Sequence, residues 1–411
     1  MPKPTTLFEA RDRVVAAVRA AGPLETVPLA EAAGRTLARE VRTDTEWPVT
    51  DRAAMDGFAV ADAGLQAGAV LRVVGESLAG RPFAMPLSSG CAIRIMTGAV
   101  VPAGALAVVP VEQTSGFAGD TVTLAAPVHA GQHVRRRGSE LAAGVVVMAA
   151  GRLLRAAEIG ALAVLGQAQV AVVRRPRVAI VATGDEVVPV EATPAPYQVR
   201  ESNSWALAAQ VAACGGEPVR LGVAPDAAGP LRELLLRGLQ DADVLITIGG
   251  ISKGTHDLVH GTLAELGVHT EFHGLDLKPG KPTYFGHHDA AGQRRFVFGL
   301  PGNPASSFTV FDLLVRPLLL RWLGAAVPPL QAMGVPGGAR WQTNSRLQAV
   351  PARAAVDAAG RFVTELVAPS PSGDPFSLLA GDHYALVLPQ QREGEAPLLH
   401  VAGGSHGVQL P

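Results

Sequence analysis

From Pro176 onward the chain repeats one unit: a short, nearly all-apolar stretch, a glycine-bearing loop, then a longer amphipathic stretch. Residues 178–182 are wholly apolar, and Val244–Ile248 breaks its apolar run only at Thr247. A strand that shows water neither face belongs in a parallel sheet covered on both sides by helices. Residues 219–223 and 295–299 read as further strands, and 203–214, 231–239, 258–266 and 306–323 as helices. This alternation predicts an α/β domain with a doubly wound parallel sheet over residues 175–326.

The rest of the chain has other periods. Thr6 followed by Glu9 is a capping box, and Leu7, Ala10, Val14 and Val18 space one apolar face. A helix over 6–21 is expected, stopped by Gly22-Pro23, with a second short helix at 29–33. Residues 48–140 carry short β-runs (70–74, 92–96, 106–111, 121–125) between Gly and Pro. They read as a β domain inserted between two halves, 1–47 and 141–174, of a split N-terminal domain, the second half holding a helix at 156–165. Pro328-Pro329 marks a linker. Strand-like runs at 361–367, 384–388 and 398–401 make 327–411 a small C-terminal β domain, barrel-like in kind. At ~150 residues per domain, 411 residues accommodate this plan.

Composition excludes several classes. A formal net charge of −1 supplies no global field for duplex nucleic acid or an anionic membrane. Any phosphate-bearing ligand must be held locally. Cys91 and Cys214 have no CxxC partner, so neither a zinc knuckle nor a disulfide framework is expected. The charged N-terminus lacks the apolar core of a signal peptide, and no apolar run approaches the ~18 residues of a membrane span. A soluble, cytoplasmic protein is the expectation.

In an open α/β sheet, ligands bind outside the carboxyl ends of the strands. Four loops are expected there: Thr183-Gly184-Asp185-Glu186, the nine residues from Gly249-Gly250 through Ser252 and Gly254 to Asp257, Lys278-Pro279-Gly280-Lys281-Pro282, and Pro301-Gly302-Asn303-Pro304. A glycine loop before a helix offers free backbone N–H groups to an oxyanion. Lys278 and Lys281 add positive charge. Asp185, Glu186 and Asp257 supply the hard oxygens that Mg²⁺ prefers. A tight turn explains any one loop, but four at one edge point to phosphoryl chemistry with a metal. Arg135-Arg136-Arg137 reads either as a solvated turn or as a clamp on a polyanion. His287-His288-Asp289 reads as a solvated turn in a hairpin-like stretch, and Cys214 as helix-end packing.

The strings AMDGFAV, IMTGAVVP, VEQT, RRRG, TGDE, ESNS, GGIS, KPGKP and GLPGNPASS, in this order over roughly residues 6–400, resemble the MoeA family, whose animal relative is the gephyrin E domain. The resemblance implies a molybdopterin molybdotransferase of molybdenum cofactor biosynthesis. Such an enzyme takes molybdate and adenylylated molybdopterin, cleaves the phosphoanhydride with Mg²⁺, and releases AMP and the cofactor. It also implies a homodimer with shared sites, and partners among molybdopterin adenylyltransferases and molybdoenzyme maturation proteins.

By the same resemblance, Asp185, Glu186 and Asp257 serve the metal, and Lys278 and Lys281 hold molybdate or phosphate. Thr183, Gly184, Ser202, Asn203, Gly249, Gly250, Ser252, Gly254, Pro301, Gly302, Asn303 and Pro304 line the ligand. Asp56, Thr97, Arg137 and Glu140 reach in from the other protomer. Asp226 and Ser377 are weaker matches. Four positions depart from the pattern: Arg52-Ala53 for Asn-Ser before AMDG, Glu140 for Asp, Leu106 for an acidic residue, and Lys253 inside the GGIS loop. Rival readings are a molybdopterin adenylyltransferase, against which the N-terminal ~175 residues count, and a non-catalytic carrier or scaffold, against which the retained carboxylates count.

Overall fold

The computed structural model describes residues 4–251, 258–290, 292–329, 331–333, 344–356, 359–360, 362–367, 371–381, 383–389 and 398–402. Contacts group the chain into two compact units. One comprises Met1–Arg39, Ala150–Ala163 and Gln167–Pro411, the other Glu40–Ala149 and Val164–Gly166.

The first unit is organised by a six-stranded sheet. Its order is Glu217–Ala224, Arg177–Thr183, Val244–Ile248, Gln293–Leu300, Tyr284–Ala290, His269–His273. The first four strands are parallel, and the last two join antiparallel. Side chains alternate across it with the period of two that strands impose. Val178, Ile180, Val244, Ile246, Phe296 and Phe298 enter one core, with the helix Asn203–Ala213 and the long closing helix. Ala179, Val181, Leu245 and Val297 enter the other, under the helices Ala228–Asp241 and Leu258–Glu265. Burial on both faces is why these strands lack polar alternation.

Several expectations need correction. His287 and His288 lie on the Tyr284–Ala290 strand, half-buried, because the hairpin with Gln293–Leu300 extends through them. His269–His273 is likewise a strand, polar because it forms an edge. The closing helix is interrupted. Pro304–Val310 and Arg316–Trp322 are α-helical, but Phe311–Val315 between them is a π turn. The N-terminal capping box forms as expected, with Glu9 N–H on Thr6 Oγ1 at 3.3 Å and Thr6 N–H on Glu9 Oε2 at 3.1 Å. That helix spans Leu7–Ala17 and ends early, because the chain extends at Val18 to set Gly22 against Trp322. Gly22 N–H donates to the Trp322 carbonyl at 2.8 Å, and a Cβ there would overlap the indole. The short helix expected at 29–33 is a single 3₁₀ turn, Leu29–Glu31, and the residues before it, Leu24–Pro28, form a strand paired with Gln169–Val173.

Toward the C-terminus, Leu347–Val356, His383–Val387, Leu398–Ala402 and Gln331–Met333 form a sheet, with Phe362–Leu366 paired to the first. Its opposite edge is Leu277–Lys278, which pairs in parallel with Leu347 and Gln348.

The second unit holds a five-stranded sheet in the order Ala107–Pro110, Gly57–Val60, Cys91–Ile95, Val70–Ser77, Thr121–Thr123. Gly57–Val60 is fully buried, with Phe58 and Val60 in one cluster and Ala59 in the other. Among the described residues, no helix is long and apolar enough to cross a membrane.

Candidate functional site

The strand Arg177–Thr183 pairs on one side with Glu217–Ala224, the next strand of the sheet in sequence, and on the other with Val244–Ile248. Chain order therefore reverses between Arg177–Thr183 and Val244–Ile248, and the crevice beyond their carboxyl ends is the ligand position of such sheets. Thr183 is buried there, and its hydroxyl donates to the Ile248 carbonyl at 3.0 Å, tying the two strand ends together. Gly249 and Gly250 follow with φ of +83° and +63°. A Cβ on Gly249 would stand 2.9 Å from Thr183 Oγ1, and one on Gly250 would stand 2.6 Å from Val259 Cγ2. Glycine is required here both for the left-handed backbone and for the close approach. Gly249 N–H donates to the Leu300 carbonyl at 3.0 Å, bringing in the loop that opens with Pro301.

That loop is held from two sides. Asn203 Nδ2 donates to the Gly302 carbonyl at 2.7 Å, and Asn303 Nδ2 donates to Ser372 Oγ at 2.8 Å. Ala305 N–H reaches the Ser372 carbonyl at 3.2 Å. Ser372, which sequence reasoning missed, is thus the C-terminal serine at this loop. Ser377 instead donates to the Asp374 carbonyl at 2.8 Å, within its own 3₁₀ turn. The signal that could have found Ser372 is the Pro-Ser-Gly turn around it. Ser202 is exposed and makes no capping bond, and Pro301 is buried.

Asp185 and Glu186 are exposed, and among the described residues neither makes an ion pair. Asp185 Oδ1 accepts the Asp226 N–H at 3.0 Å, linking the two neighbouring loops. Glu186 folds its carboxylate over Gly184, where a Cβ would meet Oε2 at 2.5 Å. Hard oxygens free of cations at a strand end fit Mg²⁺, which takes few protein ligands and keeps water or phosphate on the rest. Ser252, Lys253, Gly254, His256 and Asp257 lie outside the described residues. Among those described, no three His, Cys, Asp or Glu side chains are grouped for a metal.

Lys278 and Lys281 leave from the same edge, because His269–His273 runs in the direction of the parallel strands. Both are exposed. Gly280 between them packs on Val310, where a Cβ would stand 2.7 Å from Cγ2, and Thr283 Oγ1 holds its carbonyl at 2.7 Å. At ~4.8 Å per strand, His269–His273, the strand from which the lysine loop leaves, lies four steps or about 19 Å along the sheet from Arg177–Thr183. That span suits an extended ligand.

In the second unit, Asp56 and Thr97 meet. Thr97 donates to Asp56 Oδ1 through its N–H at 2.6 Å and its hydroxyl at 2.7 Å, and these bonds hold the carboxyl below the usual carboxylate range. Arg52 donates to the Gly98 carbonyl at 3.0 Å, so this departure clamps the turn that carries Thr97. Ala53 is buried, while Leu106 is exposed. Arg52–Ala53 also pairs with Val134–Arg135, which draws the arginine run to the same end of the unit. Each arginine there has an acid: Arg135 with Glu140, Arg136 with Asp51, and Arg137 with Glu46. Arg137 N–H also donates to Asp51 at 2.8 Å. Although partial burial pushes the other way, this bond and the Arg136 guanidinium keep Asp51 below its ordinary value. The run is therefore charge-balanced in the fold.

Two family models match the chain: the MoeA N-terminal region (domain I and II) over residues 5–166, and a probable molybdopterin binding domain over 179–321. The protein named molybdopterin molybdenumtransferase 2 of Mycobacterium tuberculosis (strain H37Rv) is 37% identical over 327 residues, 77% of this chain and 79% of that one. The molybdopterin molybdenumtransferase of Nostoc sp. (strain PCC 7120) is 37% identical over 307 residues, 74% of this chain and 70% of that one. The crystal structure of the molybdopterin biosynthesis MoeA protein from Pyrococcus horikoshii OT3 superposes with a TM-score of 0.80 at 28% identity, covering 97% of this chain and 99% of that one. With this identity over most of both chains, and with both family models matched in order, the chain belongs to the MoeA family.

Proposed function

We propose that the chain is a molybdopterin molybdenumtransferase that inserts molybdate into adenylylated molybdopterin, cleaving the phosphoanhydride and releasing AMP and molybdenum cofactor. The observation that carries this reading is the meeting of Thr183, Gly249-Gly250 and the loop 301–304 at the switch point, beside Asp185 and Glu186. The backbone around Gly249-Gly250 suits a phosphate, and the exposed Lys278 and Lys281 suit molybdate. Mg²⁺, held by Asp185 and Glu186 with Asp257, would supply charge neutralisation on the phosphoanhydride. Thr183 keeps the two strand ends at a fixed separation, and Asn203 and Asn303 set the wall opposite. The test is to incubate the chain with adenylylated molybdopterin, Mg²⁺ and molybdate. AMP release that depends on molybdate is the expected outcome, and none would refute the reading.

Lys281→Ala is expected to raise the molybdate concentration needed for half-maximal AMP release about tenfold or more. A charge-assisted hydrogen bond is worth roughly 1.5–3 kcal/mol, and the exposed side chain has little packing to lose. An unchanged molybdate dependence would remove Lys281 from the site.

The site belongs to a homodimer, completed by Asp56, Thr97, Arg137 and Glu140 of a second copy. Exposed ion pairs contribute only about 0–1 kcal/mol, so Arg137 can trade Glu46 for a polyanion at little cost. Sedimentation at micromolar concentration should show a dimer. A fully active monomer would contradict the shared site.

A further inference from the structure

The sheet of the first unit has a second concave edge. At the amino-terminal ends of its strands, opposite the candidate site, lies a cleft of about 550 Å³. It is within the size range of small-molecule pockets. Its apolar wall is Val18, Pro23, Phe296 and Trp322, with the last two rings edge-to-face at 6.4 Å. Arg19, Arg174, Arg294 and Arg295 line it against two carboxylates, Asp243 and Asp289, an excess of two positive charges.

These six groups are not equally committed. Asp243 is buried and saturated: it accepts Arg174 at 2.9 and 3.0 Å and the Arg177 N–H at 2.8 Å. Asp289 takes both arms of Arg294, at 2.8 and 2.7 Å. Arg174 and Arg294 are thereby used up. Arg295 is not. Its side chain is only 20% exposed, yet its sole ion-pair contact among the described residues is 3.6 Å to Asp243, beyond hydrogen-bond reach. Arg19, on the segment past the N-terminal helix, makes no hydrogen bond among the described residues either. A guanidinium that is four-fifths buried and makes no hydrogen bond among the described residues gains a charge-assisted one when an anion enters the cleft.

We infer that this cleft is a binding site for a small organic anion, with a phosphate or carboxylate on Arg295 and Arg19 and a flat apolar body against Phe296, Trp322, Val18 and Pro23. From Asp243 to Gly249 the connecting strand rises about 20 Å, so the cleft is separate from the switch-point crevice. The inference does not depend on the reaction proposed above.

Titration calorimetry of the full chain with phenyl phosphate, benzoate and inorganic phosphate tests it. At least one of the two aromatic anions is expected to bind, tenfold or more tightly than inorganic phosphate. Phenyl phosphate alone would assign a phosphate-bearing ligand, and benzoate alone a carboxylate. Arg295→Gln should weaken that binding tenfold or more, while Lys281→Ala should leave it unchanged. Arg19→Ala, on an exposed side chain, carries the same expectation if Arg295→Gln does not melt cooperatively. The proposal fails if neither aromatic anion binds at millimolar concentration or if inorganic phosphate binds equally well. It also fails if binding survives the arginine variants or is lost in Lys281→Ala.

Discussion

Replacing Asp185 with Asn and Glu186 with Gln together is expected to slow AMP release by a factor on the order of 10²–10³, about 2.7–4 kcal/mol of barrier. The fold should not notice. Both side chains are exposed, and changes at such positions usually stay within about 0.5 kcal/mol. The bond Asp185 makes among the described residues, accepting the Asp226 N–H, is available to an Asn carbonyl oxygen. What the amides lose is negative charge, and with it the capacity to hold Mg²⁺ against phosphate. Thermal melting beside an AMP time course separates the two roles. A variant that melts and turns over like the parent would leave the carboxylates with no part in the reaction, whereas a large drop in melting temperature would make them structural.

The second large effect is on stability. Gly57→Ala is expected to cost the Glu40–Ala149 unit about 3 kcal/mol, the upper end for overpacking a well-filled core. Gly57 lies in a buried inner strand, between Ala107–Pro110 and Cys91–Ile95, opposite Pro110. A Cβ there would overlap the Val109 carbonyl oxygen and stand 2.8 Å from Val111 N. These are backbone atoms, which cannot rotate away as a side chain would. Moving them also disturbs the Val111 N–H on the Asp56 carbonyl, 3.0 Å long, next to the Asp56–Thr97 pair. Limited proteolysis of residues 40–149 together with thermal melting would measure the loss. A cost below about 1 kcal/mol would show that the ladder can shift to admit a methyl group.

The sheet was readable where burial is two-sided. Val244–Ile248 has the expected ends, and residues 178–182 lengthen only to Arg177–Thr183. The two edges differ: Glu217–Ala224 keeps enough apolar residues for 219–223 to read as a strand, but His-Thr-Glu-Phe-His carries four polar side chains, so its composition resembles a loop. Gly57–Val60, just after Asp56, is a fully buried strand that the expected β-runs between 70 and 125 do not include, because four residues are too short a run to stand out. For the site, the direction of each strand puts four loops at one edge; alternation alone places three of them, and the lysine loop joins them through the edge strand His269–His273. Pairings did not follow. Arg137 meets Glu46, and Asn303 meets Ser372, across 91 and 69 residues, and no local spacing encodes such partners.

The π turn at Phe311–Val315 uncouples chain length from helical phase. Its wider loop absorbs one residue more than an α turn, so the flanking segments keep a common angular setting despite the extra residue. Deleting one residue inside the turn would let the helix close to plain α with Pro304 and Trp322 still facing as they do. The cost would then be confined to the lost side chain. Deleting one residue within Arg316–Trp322 would instead swing everything beyond it by about 100° around the axis, turning Trp322 away from Gly22 and Phe296. Two deletions of equal length, a few residues apart, are therefore unequal by the geometry of a single turn, and their melting temperatures should differ accordingly.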